Sequence, residues 1–320
     1  MADGTTTLLL PGRARFGGQR LGPVSAAWLG RGDRSQLDAP GPARHFSIPE
    51  ATWPVAAATR QQDAGDAGEG LWLRADPVHV RPDMNGVRLL SHGDALLLEA
   101  SEAALFAEAL RPVFEDAGLS LDAPVPTRWY LRLANGSGLP PMTPIDEALG
   151  DDLFEHLPAG SDGRRWRALL SEAQVILHNH PRNAERAAAG LATINSVWFW
   201  GGGTLPERAG CRHARVLSDD SGLRAMAALA GSIDEPLPAS WQGGGPALVD
   251  LRHARDLAVL ERDWLAPLLG GLGRNGIRRV ELEFADGLQI TLAPWQRLRL
   301  WRAPLRSFVA DPVARGDSRG

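Results

Sequence analysis

Apolar positions along the chain fall into short runs, alternations and three- to four-residue spacings, and each predicts a different element. The run at 6–10 reads as a strand that Pro11-Gly12 stops. LWLRADPVHVRPD, at 71–83, alternates as a strand with a proline break, and 87–90 and 95–98 read as a short pair around Ser91-His92-Gly93-Asp94. Ser101 reads as the N-cap of a helix to about Ala117, with Leu105, Phe106, Ala109, Leu110, Val113 and Phe114 on one face and Gly118 closing it. A second helix, 162–180, carries Trp166, Leu169, Leu170, Ala173, Ile176, Leu177 and His180 at helical spacing, with Pro181 just past its end. Strands are expected at 129–133, 196–200 and 247–251, and helices at 223–229 and 255–269. RRVELEFADGLQITL, at 278–292, reads as a hairpin, because Val280, Leu282, Phe284 and Leu288, Ile290, Leu292 alternate around Asp286-Gly287, a type I′ turn signal.

Strands and helices alternate, so the expected class is α/β with an antiparallel element. A chain of 320 residues, 44% hydrophobic and 22% charged, can bury a large core and suggests two domains or one elaborated domain. Gly, Pro and charge make 30–50 loop-like, and QQDAGDAGEG at 61–70 reads as a flexible connector. The expected division is an N-terminal α/β segment at 1–60, the linker at 61–70, a main α/β domain at 71–310 and a disordered tail at 311–320.

Composition changes this picture in three places. A net charge of −4 argues against nucleic acid as a partner. No apolar stretch approaches the roughly 20 residues of a membrane helix, and the first residues lack a signal-peptide core; the lone Cys211 fits a reducing compartment. The expectation is a cytoplasmic protein with no membrane partner. The chain also contains no lysine, all 34 basic residues being arginine, which excludes a Walker A loop, a pyridoxal Schiff base and a lysine base.

Several motifs fail their structural context. GLGRNG at 271–276 follows a helix and precedes a strand, the reverse of a dinucleotide fingerprint, so it reads as a helix end and turn. No G-x-S-x-G occurs. Asp152 and His156 share a helical face, and Asp76–His79 and Asp250–His253 are looser pairs, all readable as solvated polar residues. The stretch HNHPRNAERAAAGLATINSVWFWGGG, 178–203, holds more chemistry. His180 lies at a helix end, where the dipole favours a cation, with Asn183 and Arg186 following at i+3 spacing; Asn195 starts a strand and Gly201–Gly203 leave it. Such glycines can form an anion nest, and equally a flexible turn beside capping side chains.

This stretch resembles the substrate-lid motif of archaeal-type cofactor-independent phosphoglycerate mutases of the alkaline phosphatase superfamily. The matching residues are His180, Pro181, Asn183, Arg186, Gly190, Leu191, Asn195, Trp198, Trp200, Gly201 and Gly203. With ADPVHVRPD (75–83), RWYLRL (128–133) and TPIDEALGDDLFEHLP (143–158), the chain is similar to bacterial phosphoglycerate mutase homologues and RpfE-type regulatory proteins. The resemblance implies an alkaline-phosphatase-like or reduced mutase-like sheet with flanking helices and a C-terminal antiparallel hairpin. The chain departs from the mutases where they bind metal. Their Asp-Gly after strand one faces Leu10-Pro11-Gly12, their Asp-Pro-His faces Thr143-Pro144-Ile145, and their late Asp-His ligands face VDLRHARDL, with only Asp250 and His253. The phosphorylated serine has no counterpart, and without metals two-metal phosphoryl transfer should not run.

The resulting expectation is a catalytically reduced, regulatory or ligand-sensing protein without a cofactor. It would bind a small phosphorylated or carboxylated metabolite through His180, Asn183, Arg186, Asn195, Trp198, Trp200, Gly201, Gly202 and Gly203, with His79 and Arg81 nearby. An active phosphomutase or phosphatase would instead need manganese or zinc, on Asp76, His79, Asp152 and His156. A third reading is a protein-interaction module, in which the 11 tryptophans serve core or interface.

Overall fold

Thr5–Leu10 is buried along its whole length, which explains why its sequence does not alternate: a parallel strand lies on each side of it. A computed structural model describes residues 4–49, 53–84 and 86–309. In it this strand sits inside a seven-stranded sheet. The order is Ile233–Glu235, Arg215–Leu217, Leu248–Asp250, Thr5–Leu10, Arg279–Phe284, Leu288–Leu292 and Asp33–Gln36. The first five strands are parallel, and the last two add antiparallel edges. Leu8, Leu10, Val249, Leu282 and Phe284 belong to one core with Leu260, Leu265 and Leu268.

The expected hairpin forms, with a different turn. Gly287 donates to the Phe284 carbonyl at 2.8 Å and alone takes positive φ, 88°, whereas type I′ needs it at both central positions. A turn through Ala285 and Asp286 followed by a left-handed glycine is the longer-loop solution.

The chain divides into two compact units, residues 1–49 with 208–320 and residues 50–207, so the second is an insertion within the first. This replaces the expected boundaries at 60 and 70. Residues 61–64 are the last turn of the helix Val55–Ala64, which Gly65 closes at φ 74°; the expected tail at 311–320 lies outside the described residues. The connector reading failed because Ala56, Ala57 and Ala58, poor hydrophobic signals, are buried at a close packing surface.

The inserted unit is organised by one long strand, Leu71–Asp83. Arg128–Leu133 pairs with its 71–74 part and Ser196–Gly203 with 72–78, while Gly86–His92 pairs with 78–83. The expected break at Pro77 does not occur. Asn195 donates to the Val78 carbonyl, so the backbone of Pro77 faces the other side, where neither Arg128–Leu133 nor Gly86–His92 pairs with it and no ladder donor is lost. The single strand Gly86–His92 replaces the expected pair at 87–98, because Gly93–Leu96 is a 3-10 turn. Helices Ala100–Asp116 and Gly160–His178 cover the sheet with Phe106, Leu110, Phe114, Trp166, Leu170 and Leu177, while Leu105 points to solvent.

Candidate ligand site

The segment 178–203 folds as a helix end, a short helix Arg182–Ala188, a loop and the strand Ser196–Gly203. Three of its polar side chains hold that path together. Asn183 is buried; its Nδ2 donates to the carbonyls of Leu177 (2.7 Å) and Ile194 (2.8 Å), and its Oδ1 accepts from the Ile194 amide (2.8 Å). Asn195 does the work of a missing strand residue beside the irregularity at His79/Val80. Its side chain accepts from the Val80 amide and donates to the Val80 carbonyl, both at 2.8 Å. Arg186 is 1% exposed, and its fork reaches the Ala192 carbonyl (2.8 Å), Glu102 Oε2 (2.8 Å) and the Leu96 carbonyl (2.5 Å). These are internal contacts, so Asn183 and Arg186 do not offer the anion-binding donors expected of them.

The tryptophans and glycines are likewise built into the sheet. Trp198 Nε1 donates to the Thr143 carbonyl (2.9 Å) and Trp200 Nε1 to Asp76 Oδ2 (2.7 Å). Gly201 has φ 67°, and a Cβ there would meet Val55 Cβ at 3.0 Å; one on Gly202 would lie 2.4 Å from Leu139 Cδ1. Gly203 pairs with Trp72. Close packing, rather than an anion nest, explains Gly201 and Gly202.

What remains accessible is a depression of about 400 Å³ over the helix end, lined by His178, Asn179, His180, Pro181, Asn183, Ala184, Thr193 and Asn195. His180 packs its ring 4.6 Å from Phe106, and its Nδ1 accepts from the Arg182 amide at 3.2 Å, which leaves the proton on Nε2. Burial, with Arg182 adding to it, holds this imidazole below the usual histidine range, so it is a neutral donor and not the cation the helix dipole suggested. His79 joins the edge through Thr193, whose carbonyl and hydroxyl lie 3.0 and 3.1 Å from Nδ1, whereas Arg81 is exposed on the strand.

The alternative metal ligands do not converge. Asp76 is buried and saturated by Arg74 (2.7 and 2.8 Å), Trp200 and the Trp129 amide (3.3 Å). Asp152 caps the turn Leu153–His156 and accepts from the Val87 amide, and His156 meets Asp151 at 3.3 Å. Among the described residues no three His, Cys, Asp or Glu side chains are grouped to hold a metal.

At the carboxyl ends of the parallel strands in the other unit, the place of Asp250 is informative. Arg252 grips it through two 2.7 Å hydrogen bonds and extends to Asp220 at 2.7 Å, while Ser218 donates to it at 2.8 Å. Burial pushes the Asp250 carboxyl up, but Arg252 and Ser218 outweigh it and keep the group below the usual carboxylate range. His253 is exposed, and Arg13 pairs with Asp286 beyond strand one. A guanidinium thus engages both oxygens of Asp250, and these residues do not fit a two-metal centre.

Sequence reasoning also missed a buried chain of titratable groups. Glu283 Oε2 lies 3.0 Å from His45 Nε2, and His45 Nδ1 lies 3.2 Å from His213 Nε2, all three being nearly inaccessible. Burial pushes the Glu283 carboxyl up, but the His45 hydrogen bond and the Arg44 charge hold it below its ordinary range. No local spacing could reveal a cluster spread over 238 positions.

No protein-family profile matches the chain. It is 27% identical over 156 residues to the "Probable 2,3-bisphosphoglycerate-independent phosphoglycerate mutase" of Geobacter sulfurreducens, covering 49% of this chain and 38% of that one. It is 25% identical over 212 residues to the 2,3-bisphosphoglycerate-independent phosphoglycerate mutase of Methanosarcina barkeri, covering 61% and 52%. The chain therefore spans about a third to a half of the length of these curated relatives, and is their distant homologue over that part. The cofactor-independent phosphoglycerate mutase structure from Thermoplasma acidophilum is 17% identical, with a TM-score of 0.40 over 91% of this chain and 90% of that one.

Proposed function

We propose that this chain is a mutase-derived protein that binds a small phosphorylated or carboxylated metabolite without transferring its phosphoryl group, in a regulatory or sensing role. The observation that carries this reading is Arg252. Its guanidinium joins Asp250, which the resemblance to the mutases sets against one of their metal ligands, to Asp220. A fixed cation there neutralises the carboxylates but offers no open coordination position to activate a nucleophile.

Ligand recognition falls to the depression at 178–195. The His180 Nε2–H, the exposed His178 and Asn179 side chains and the Thr193 edge supply hydrogen-bonding groups. A site of this composition engages one carboxylate or phosphoryl group of its ligand through hydrogen bonds, because no buried arginine faces it among the described residues.

Titration calorimetry with 3-phosphoglycerate, with inorganic phosphate as reference, tests the binding. Saturable binding that His180→Gln weakens severalfold is expected, and binding should strengthen as pH falls below the usual histidine value. Heat indistinguishable from dilution overturns the ligand reading. Turnover of 3-phosphoglycerate with added manganese or zinc overturns the non-catalytic one.

A further inference from the structure

Two exposed apolar patches on this chain have opposite charge. The first is the stretch from Trp295 to Arg302. Trp295, Leu298, Leu300 and Trp301 are 56%, 69%, 75% and 77% exposed, an unusual concentration of large apolar side chains on one short segment. Arg297 and Arg299 are interleaved with them, Arg302 and Arg306 follow, and no carboxylate occurs from 287 to 309. Asp33 pairs with Arg299, and no ion pair engages Arg297 or Arg302 among the described residues.

This segment is held rigidly. Gln296 is buried, donates to Asp33 at 2.9 Å and accepts from the Ala293 amide at 3.0 Å. Arg299 donates to the Arg31 carbonyl and stacks 4.2 Å over the Trp295 ring. Further along, the Leu305 amide donates to the Ala26 carbonyl at 2.8 Å. Its apolar side chains are therefore displayed on a fixed backbone, which lowers the ordering cost of docking. Tryptophan and arginine are the residues that most often anchor protein interfaces.

The second patch lies in the inserted unit, on Ile145–Ala148 and the turn Leu153–His156. Ile145, Ala148 and Leu153 face the core, whereas Leu149 and Phe154 are 42% and 61% exposed. Around them stand Asp146, Glu147, Asp151 and Glu155, all exposed, against His92, His156 and Arg88, so acidic groups outnumber basic ones. This patch is pinned too, since the Gly150 amide donates to the Leu89 carbonyl and Arg88 donates to the Gly150 carbonyl.

We infer that the protein self-associates, the Trp295–Arg302 patch of one copy docking on the Leu149/Phe154 acidic patch of a second copy. The two surfaces match in kind, since each has two or more exposed apolar anchors, and they are opposite in charge. Such a contact pairs unlike surfaces, so a two-fold axis would form it twice, and other arrangements would add further copies. Electrostatic matching makes assembly fall with rising salt.

Analytical ultracentrifugation of the full chain from about 1 to 100 μM, at low and at half-molar salt, tests this. The expected result is a concentration-dependent oligomer that salt weakens. Arg297→Glu with Arg302→Glu, and separately Asp151→Arg with Glu155→Arg, should each weaken it at least tenfold, and mixing the two double variants should restore assembly. Far-UV circular dichroism checks that each variant is folded. A wild-type chain that stays monomeric at 100 μM overturns the inference. So does sensitivity to the arginine pair alone, as an acidic partner protein would give. Binding to phosphatidylserine vesicles through the arginines, with no oligomer, overturns it in favour of a lipid surface.

Discussion

Arg186→Ala separates a fold-holding arginine from a ligand-holding one. In the native chain Arg186 is 1% exposed and satisfies Glu102 and the carbonyls of Leu96 and Ala192. Removing one partner of a buried ion pair costs about 3–5 kcal/mol, because the remaining charge is left without compensation. Here Arg182 Nε stays 3.3 Å from Glu102, which retains part of the compensation and places the expected loss near the lower figure. The two carbonyls add to it, though water can reach the half-buried Ala192. The Leu96 carbonyl matters further because Leu97, next to it, is held at φ 49°, a conformation leucine rarely adopts. The variant should therefore lose about 3 kcal/mol in urea unfolding followed by circular dichroism, and amide exchange should quicken across 93–98. Arg186→Lys should recover little, since an ammonium cannot reach three acceptors in a fork. A loss below about 1 kcal/mol, together with abolished metabolite binding, would refute this reasoning and return Arg186 to the ligand.

Three other outcomes follow from the same geometry. Gly201→Ala forces an alanine to φ 67° with its Cβ 3.0 Å from Val55 Cβ, so unfolding free energy should fall by about 1–3 kcal/mol; unchanged urea stability would mean the glycines serve something other than packing. Because the folded state holds the His180 pKa below 6.5, the unfolded state takes up this proton first. Its contribution is then fully present above pH 6.5 and is lost as pH falls through that value towards the folded pKa, so His180→Gln should flatten the urea midpoint between pH 7.5 and 5.5; an identical profile would contradict the assignment. Arg252→Ala leaves Asp250 and Asp220 without their shared cation, and the variant should gain thermal stability from millimolar manganese that the parent lacks, a gain whose absence would show that the guanidinium does not substitute for a metal.

Much of the fold was legible because periodicity is local. The helix Ala100–Asp116, the strand Thr5–Leu10 and the hairpin at 279–292 were read from spacing within a few residues. The helix Val55–Ala64 and the two-part division were not, for they depend on alanines packed at long range and on a chain that leaves one unit and returns to it. Charge told a similar story. Arg74 with Asp76 and Asp250 with Arg252 both lie two residues apart, a spacing that puts side chains on one face of an extended chain. That signal was present in the sequence, and it marks carboxylates already satisfied rather than ligands awaiting a metal.

The mutase-like stretch needs the same distinction between chemistry that binds and chemistry that builds. Asn183 stitches a helix end to a strand, Asn195 completes a ladder, Arg186 ties three segments together and the glycines admit a neighbouring helix and leucine. Each residue type is required by a local backbone problem that any chain with this path would face. Resemblance along such a stretch therefore reports shared architecture first. Side chains with unused polar atoms at the surface, such as His178, Asn179 and His180, are free to report a shared ligand, and these three line the depression where binding should be sought.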